Sequence, residues 1–125
     1  MIVGIGSDIV SIERIAGVLE RHGERFVNRI LTPPERARYE RTKLKASHLA
    51  KRWAAKEAFA KAIGTGIHAP FTWQSVTVTR DRRGAPGLEP SPEMADYLRE
   101  RGVKRSLLTL TDDAGIAVAF VVLEG

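Results

Sequence analysis

At 125 residues, 43% of them hydrophobic and 28% charged, the chain carries enough apolar side chain for one folded domain and too little length for a second core. Lys and Arg outnumber Asp and Glu by 20 to 15, a formal charge of +5 that favours anionic partners such as phosphorylated cofactors, acidic proteins or nucleic acid. The absence of cysteine excludes a disulfide framework, thiolate metal sites and a cysteine nucleophile, and the longest apolar run, Ile116 to Leu123, falls far short of the ~20 residues of a membrane span, so a cytoplasmic protein is expected.

Residues Ile2 to Val10 alternate as a strand, with Val3, Ile5 and Ile9 on one face and Gly4, Gly6 and Asp8 on the other. Ser11 is placed to cap a helix whose buried stripe is Ile12, Ile15, Ala16 and Leu19 and which stops at Gly23, leaving Arg14, Arg21 and Arg25 outward. A short helical stretch from Phe26 to Leu31 leads to Thr32-Pro33-Pro34-Glu35, a capping-box spacing with proline at the first helical position. The strongest helical pattern runs from Ala46 to Ile63 and ends at Gly64-Thr65-Gly66. Beyond Pro70, Trp73, Val76 and Val78 mark a β-rich region with a turn at Asp81 to Gly84, Ser91-Pro92-Glu93 opens a helix that ends at Gly102, and Ser106 to Thr111 with Ile116 to Leu123 form a hairpin whose last strand is apolar on both faces. The order strand, helices, hairpin, helix, hairpin predicts an α+β fold with helices packed on a mostly antiparallel sheet. A chain this short rarely encloses a deep pocket alone, so a cleft shared between subunits is expected.

On the long helix Leu49, Trp53, Glu57 and Lys61 follow one another at four-residue spacing and form one line. Taken alone, Glu57 and Lys61 read as an ordinary exposed ion pair worth roughly 0.3 to 0.5 kcal/mol. The adjacent stripe Ala50, Ala54, Ala58, Ala62 admits close approach by another backbone or a ligand, which opens the reading of Glu57 at a cleft edge. Asp8 likewise fits a local turn hydrogen bond, but Gly4 and Gly6 on its face leave room for something to pack beside the carboxylate. Magnesium takes one or two carboxylates and completes its octahedron with phosphate oxygens and water, so Asp8 with Glu57 would suffice, with Lys61 and Arg52 as phosphate partners. Gly64-Thr65-Gly66 follows a helix, whereas a phosphate-cradling loop precedes one, and Gly4-Ile5-Gly6 lacks the third glycine of a dinucleotide fingerprint. His22, His48 and His68 are scattered and read as surface or loop residues, not as a ligand cluster. The basic stretch Arg36 to Lys45 is interleaved with glutamate and poor in aromatics, so no nucleic-acid partner is expected.

Gly4-Ile5-Gly6-Ser7-Asp8-Ile9-Val10 with Arg14 and Ile15, and Leu49-Ala50-Lys51-Arg52-Trp53-Ala54-Ala55-Lys56-Glu57-Ala58 continuing through Lys61-Ala62 to Gly64-Thr65-Gly66, resemble the holo-acyl-carrier-protein synthases, the short bacterial 4'-phosphopantetheinyl transferases. The resemblance spans nearly the whole chain. It implies that family's fold and a homotrimer with active sites at the subunit junctions. It also implies that Asp8 and Glu57 hold Mg2+ on the diphosphate of coenzyme A, that Lys61 and Arg52 bind the phosphate region, and that Gly64, Thr65 and Gly66 line the cofactor cleft. Glu57 and Lys61 would then be catalytic, a serine hydroxyl of an apo acyl carrier protein the nucleophile, and adenosine 3',5'-bisphosphate the leaving group. Carrier proteins of this system are acidic, which makes Arg14, Arg21 and Arg25 the expected docking face. Two positions depart from the family pattern: Leu107-Leu108-Thr109 replaces a common His-x-Ser, and Gly84-Ala85-Pro86 a common Gly-Lys-Pro.

Overall fold

A computed structural model describes residues 1–125. Strand β1 (Ile2–Ser11) leads into helices α1 (Ile12–His22), α2 (Glu24–Ile30), α3 (Pro33–Arg41) and α4 (Lys45–Ala62). The hairpin β2 (Val76–Arg80) and β3 (Pro86–Pro90), helix α5 (Pro92–Glu100) and the hairpin β4 (Arg105–Asp113) and β5 (Ile116–Glu124) complete the chain. The anticipated order of elements is present. The strands divide, however, into two antiparallel sheets, β1-β5-β4 and β2-β3. Strand β3 begins and ends on proline, which has no N–H to give, and it lies beside β4 without joining its ladder.

Local chemistry sets the helix starts. The Ser11 and Ser91 hydroxyls accept from the backbone N–H groups of Arg14 and Met94 at 3.1 and 3.2 Å. Thr32 donates its backbone N–H to Glu35 Oε1 at 2.7 Å. Glu35 is more than a cap: it is buried, its Oε2 accepts from the Val78 N–H at 2.8 Å, and its Oε1 accepts from Lys56 Nζ at 2.7 Å. Lys56, fully buried in α4, also donates to the carbonyls of Ile30 at 2.6 Å and Trp73 at 2.8 Å. Burial lowers the pKa of Lys56 and the Glu35 carboxylate opposes that shift. One ammonium thus ties α2, α3 and the segment before β2 to α4, and removing either charge would strand the other at a cost of about 3–5 kcal/mol.

Helix α4 packs across the inner face of β1-β5-β4. That inner face carries the glycines of β1: a Cβ on Gly6 would sit 1.9 Å from the Ala58 carbonyl oxygen, and one on Gly4 2.4 Å from that of Ala62. The alanine stripe on α4 and the glycines on β1 therefore meet backbone to backbone. Ala117, Ala119, Val121 and Leu123 of β5 line the same buried side. The opposite face is apolar and open, with Ile5 and Ile9 more than 60% exposed beside Phe120 and Leu107. In α1, Ile15 is buried and Ile12 and Leu19 pack on the core, but Ala16 faces solvent, so the contact stripe is narrower than its spacing suggested.

Candidate active site

Asp8 lies two residues beyond Gly6 on the inner face of β1, and Glu57 immediately precedes the Ala58 carbonyl against which Gly6 packs. The close strand–helix contact therefore brings two acids 49 positions apart in sequence into one site. Lys61, one turn beyond Glu57, reaches across to β1, where its Nζ stands 3.3 Å from Asp8 Oδ1 and donates to the Ser7 carbonyl at 3.0 Å. The surface pair between Glu57 and Lys61 is not formed, and Glu57 has neither an ion pair nor a side-chain hydrogen bond. Burial raises the pKa of Asp8, with Lys61 and Arg14 opposing. Burial and, second, the charge of Asp8 raise that of Glu57, again opposed by Lys61 and Arg14. Asp8, Glu57, Lys61 and Arg14 therefore share one electrostatic field.

Two half-buried carboxylates that repel one another, one of them unpartnered, form a hard oxygen site that favours a cation. No cluster of three or more acidic or histidine side chains stands ready as a complete metal cage. The donor set suits an ion that keeps several positions for phosphate and water, as magnesium does.

Arg52 is elsewhere. It lies five residues before Glu57, about 140° around the helix axis at 3.6 residues per turn, and is 1% exposed. Its buried Nη1 has no partner, and it lines a cleft of about 300 Å3 with Arg38, Arg80, Thr77, Thr79 and Glu89. Burial, then the charges of Arg80 and Arg38, lower its pKa to about 10. His48, one turn earlier, is not the surface residue anticipated: its buried Nε2 is unpartnered, its ring packs near Tyr39, and burial together with Arg52 and Lys51 lowers its pKa to about 3, so it is neutral.

The Gly64–Gly66 turn closes α4 just past Lys61, with the Gly64 N–H bonded to the Lys61 carbonyl at 3.1 Å and the Gly66 N–H to that of Ala60 at 3.1 Å. Gly64 and Gly66 hold φ of 85° and 60°, left-handed values that suit glycine. Thr65 bonds the Gly66 carbonyl at 2.8 Å. Arg14 and Arg21 are exposed on α1, and Arg25 is exposed on α2, where it shares a shallow recess with His22, Phe26 and Arg29. Sequence spacing did not single out Arg38 and Arg80, which reach the Arg52 cleft from α3 and β2.

The sequence profile of the 4'-phosphopantetheinyl transferase superfamily matches residues 4–120. A holo-acyl-carrier-protein synthase of Thiobacillus denitrificans is 48% identical over 124 residues, covering 99% of this chain and 95% of the relative. The crystal structure of the corresponding Neisseria meningitidis synthase superposes with a TM-score of 0.96 at 41% identity, covering 100% of both chains. The Helicobacter pylori synthase in complex with coenzyme A gives 0.86 at 32% identity over 96% of this chain and 99% of that one. With the profile spanning nearly its full length and relatives this similar end to end, the chain belongs to the 4'-phosphopantetheinyl transferase superfamily.

Proposed function

We propose that this protein transfers 4'-phosphopantetheine from coenzyme A to a serine of an apo acyl carrier protein, as a magnesium-dependent holo-acyl-carrier-protein synthase. The convergence of Asp8 and Glu57 beside Lys61 carries this reading, and the coenzyme A complexes of its relatives support it. Asp8 and Glu57 would hold Mg2+, which when bound neutralises the diphosphate and polarises its phosphorus toward attack. Lys61 binds the phosphate oxygens on which charge develops. The serine oxygen forms the new bond to phosphorus, the bond to the adenosine 3',5'-bisphosphate oxygen breaks, and the serine proton is lost. Glu57 itself or a water beside the two acids takes that proton. The Gly64-Thr65-Gly66 turn lines the cofactor cleft next to Lys61.

The same reading places the active site between the subunits of a cytoplasmic homotrimer. The open apolar face of β1-β5-β4 is the surface another subunit would cover, and its Ile5 and Phe120 share a recess of about 300 Å3 with Gly6, Ser7 and Lys61. Arg52 lies on another side of α4 from Lys61, so within one chain the two do not hold the same phosphate. Equilibrium sedimentation is expected to return three times the protomer mass; a monomer at micromolar concentration would refute this arrangement.

Incubation with coenzyme A, Mg2+ and an apo carrier protein is expected to raise the carrier's mass by one phosphopantetheine, and a chelator to prevent it. No gain under any divalent metal would refute the activity. Arg14, Arg21 and Arg25 form the docking face for the acidic carrier, and Arg21→Ala is the cleaner test because Arg14 also acts on Asp8 and Glu57. Arg21→Ala should raise the carrier KM about five- to tenfold with kcat little changed and a flatter salt dependence. Unaltered carrier saturation would remove Arg21 from the surface.

A further inference from the structure

Lys61 is engaged across the contact between α4 and β1. Its ordinary partner would be Glu57, one turn away on the same helix, yet its ammonium crosses to β1, 3.3 Å from Asp8 Oδ1 and 3.0 Å from the Ser7 carbonyl. The Asp8 side chain is 14% exposed and that of Lys61 52%, so a nearly covered carboxylate is matched by a cation whose long stem remains free to swing. No other ammonium or guanidinium is in salt-bridge reach of Asp8. Lys61 thus stands on the carboxylate that a divalent ion needs.

We propose that Lys61 is a placeholder cation: it occupies Asp8 in the free protein, leaves when a divalent ion takes that carboxylate, and turns its ammonium to the phosphate that arrives with the ion. This rests on the reading of Asp8 and Glu57 as the metal site. Charge counting gives the physical reason. With two carboxylates, a divalent ion, the displaced ammonium and the Arg14 guanidinium whose field reaches both acids, the site carries two positive charges too many for a half-buried place. A diphosphate beside it absorbs the excess. Metal and diphosphate should therefore bind cooperatively, each tightening the other by the same factor, with Lys61 as the coupling element.

The test measures Mn2+ affinity by electron paramagnetic resonance or calorimetry, with no carrier protein, in the presence and absence of coenzyme A. Wild type should bind Mn2+ weakly alone and at least about fivefold more tightly with coenzyme A, the lower end of ordinary coupling. Lys61→Gln should bind Mn2+ alone more tightly than wild type, and the gain on adding coenzyme A should shrink. Lys61→Arg, which keeps the charge, should behave as wild type and control for effects on the fold. Lys61→Gln affinity equal to or weaker than wild type without coenzyme A would overturn the placeholder role while leaving the metal site intact. Absence of Mn2+ binding in wild type under both conditions would overturn the metal site and, with it, this inference.

Discussion

Gly6→Ala should cut kcat/KM by about a hundredfold or more, the scale on which a 1 Å misplacement acts, and lower stability by about 3 kcal/mol, the upper end of ordinary overpacking. The added methyl would meet backbone on α4, 1.9 Å from the Ala58 carbonyl oxygen and 2.8 Å from the Ala62 nitrogen, and neither can rotate aside. The strand must back away from the helix. Asp8 rides on that strand and Glu57 on that helix, so the substitution separates the acids without touching either. A fall in melting temperature of about 10 °C follows for a chain of this size. Gly64→Ala is the contrast: a Cβ there meets nothing, so only the left-handed backbone resists, at about 1 kcal/mol. Wild-type melting and activity in Gly6→Ala would show that β1 and α4 are not in this contact.

Glu57→Gln and Asp8→Asn should each reduce transfer by about a thousandfold or more, the loss expected when an electrostatic partner of the reacting phosphate disappears. Neither should unfold the protein, and Glu57→Gln should stabilise it at neutral pH in the absence of metal. Both acids have raised pKa values because burial penalises their charged forms, and Glu57 also feels Asp8. The native state therefore holds these protons more tightly than the unfolded chain does. As pH rises from the ordinary carboxylate range through the raised values, ionisation costs the native state more, and stability falls relative to the neutral variant. The melting temperature of Glu57→Gln minus that of wild type should be near zero below about pH 4 and positive above the shifted range. Asp8→Asn should gain less, because it also gives up the contact with Lys61. Full activity in either variant, or a less stable Glu57→Gln at neutral pH, would defeat the assignment.

Elements whose signals are local were readable from the sequence. The Ser11 and Ser91 caps, the Thr32–Glu35 box, the alanine-rich α4 and its glycine stop all lie within a few residues of the features they control. The Gly4-x-Gly6-x-Asp8 pattern even pointed to tight packing beside Asp8, and the packing partner is α4 itself. What depended on assembly was hidden. Lys56 sits among exposed-looking lysines, and nothing nearby in sequence marks it as interior, because its counterion lies 21 residues away. His48 and the cleft of Arg38, Arg52 and Arg80 depend on α3, α4 and β2 meeting. Alternation in β1 separated two faces correctly, yet it is the glycine side that turns inward and the isoleucine side that stays open.

The Lys56–Glu35 pair bears on how long the fold persists. Its ammonium and carboxylate collect groups from Ile30, Thr32, Trp73 and Val78, segments that must all have arrived before either charge is fully coordinated. Contacts completed after the transition state hold back unfolding and leave initial collapse almost untouched, which is the behaviour expected of this pair.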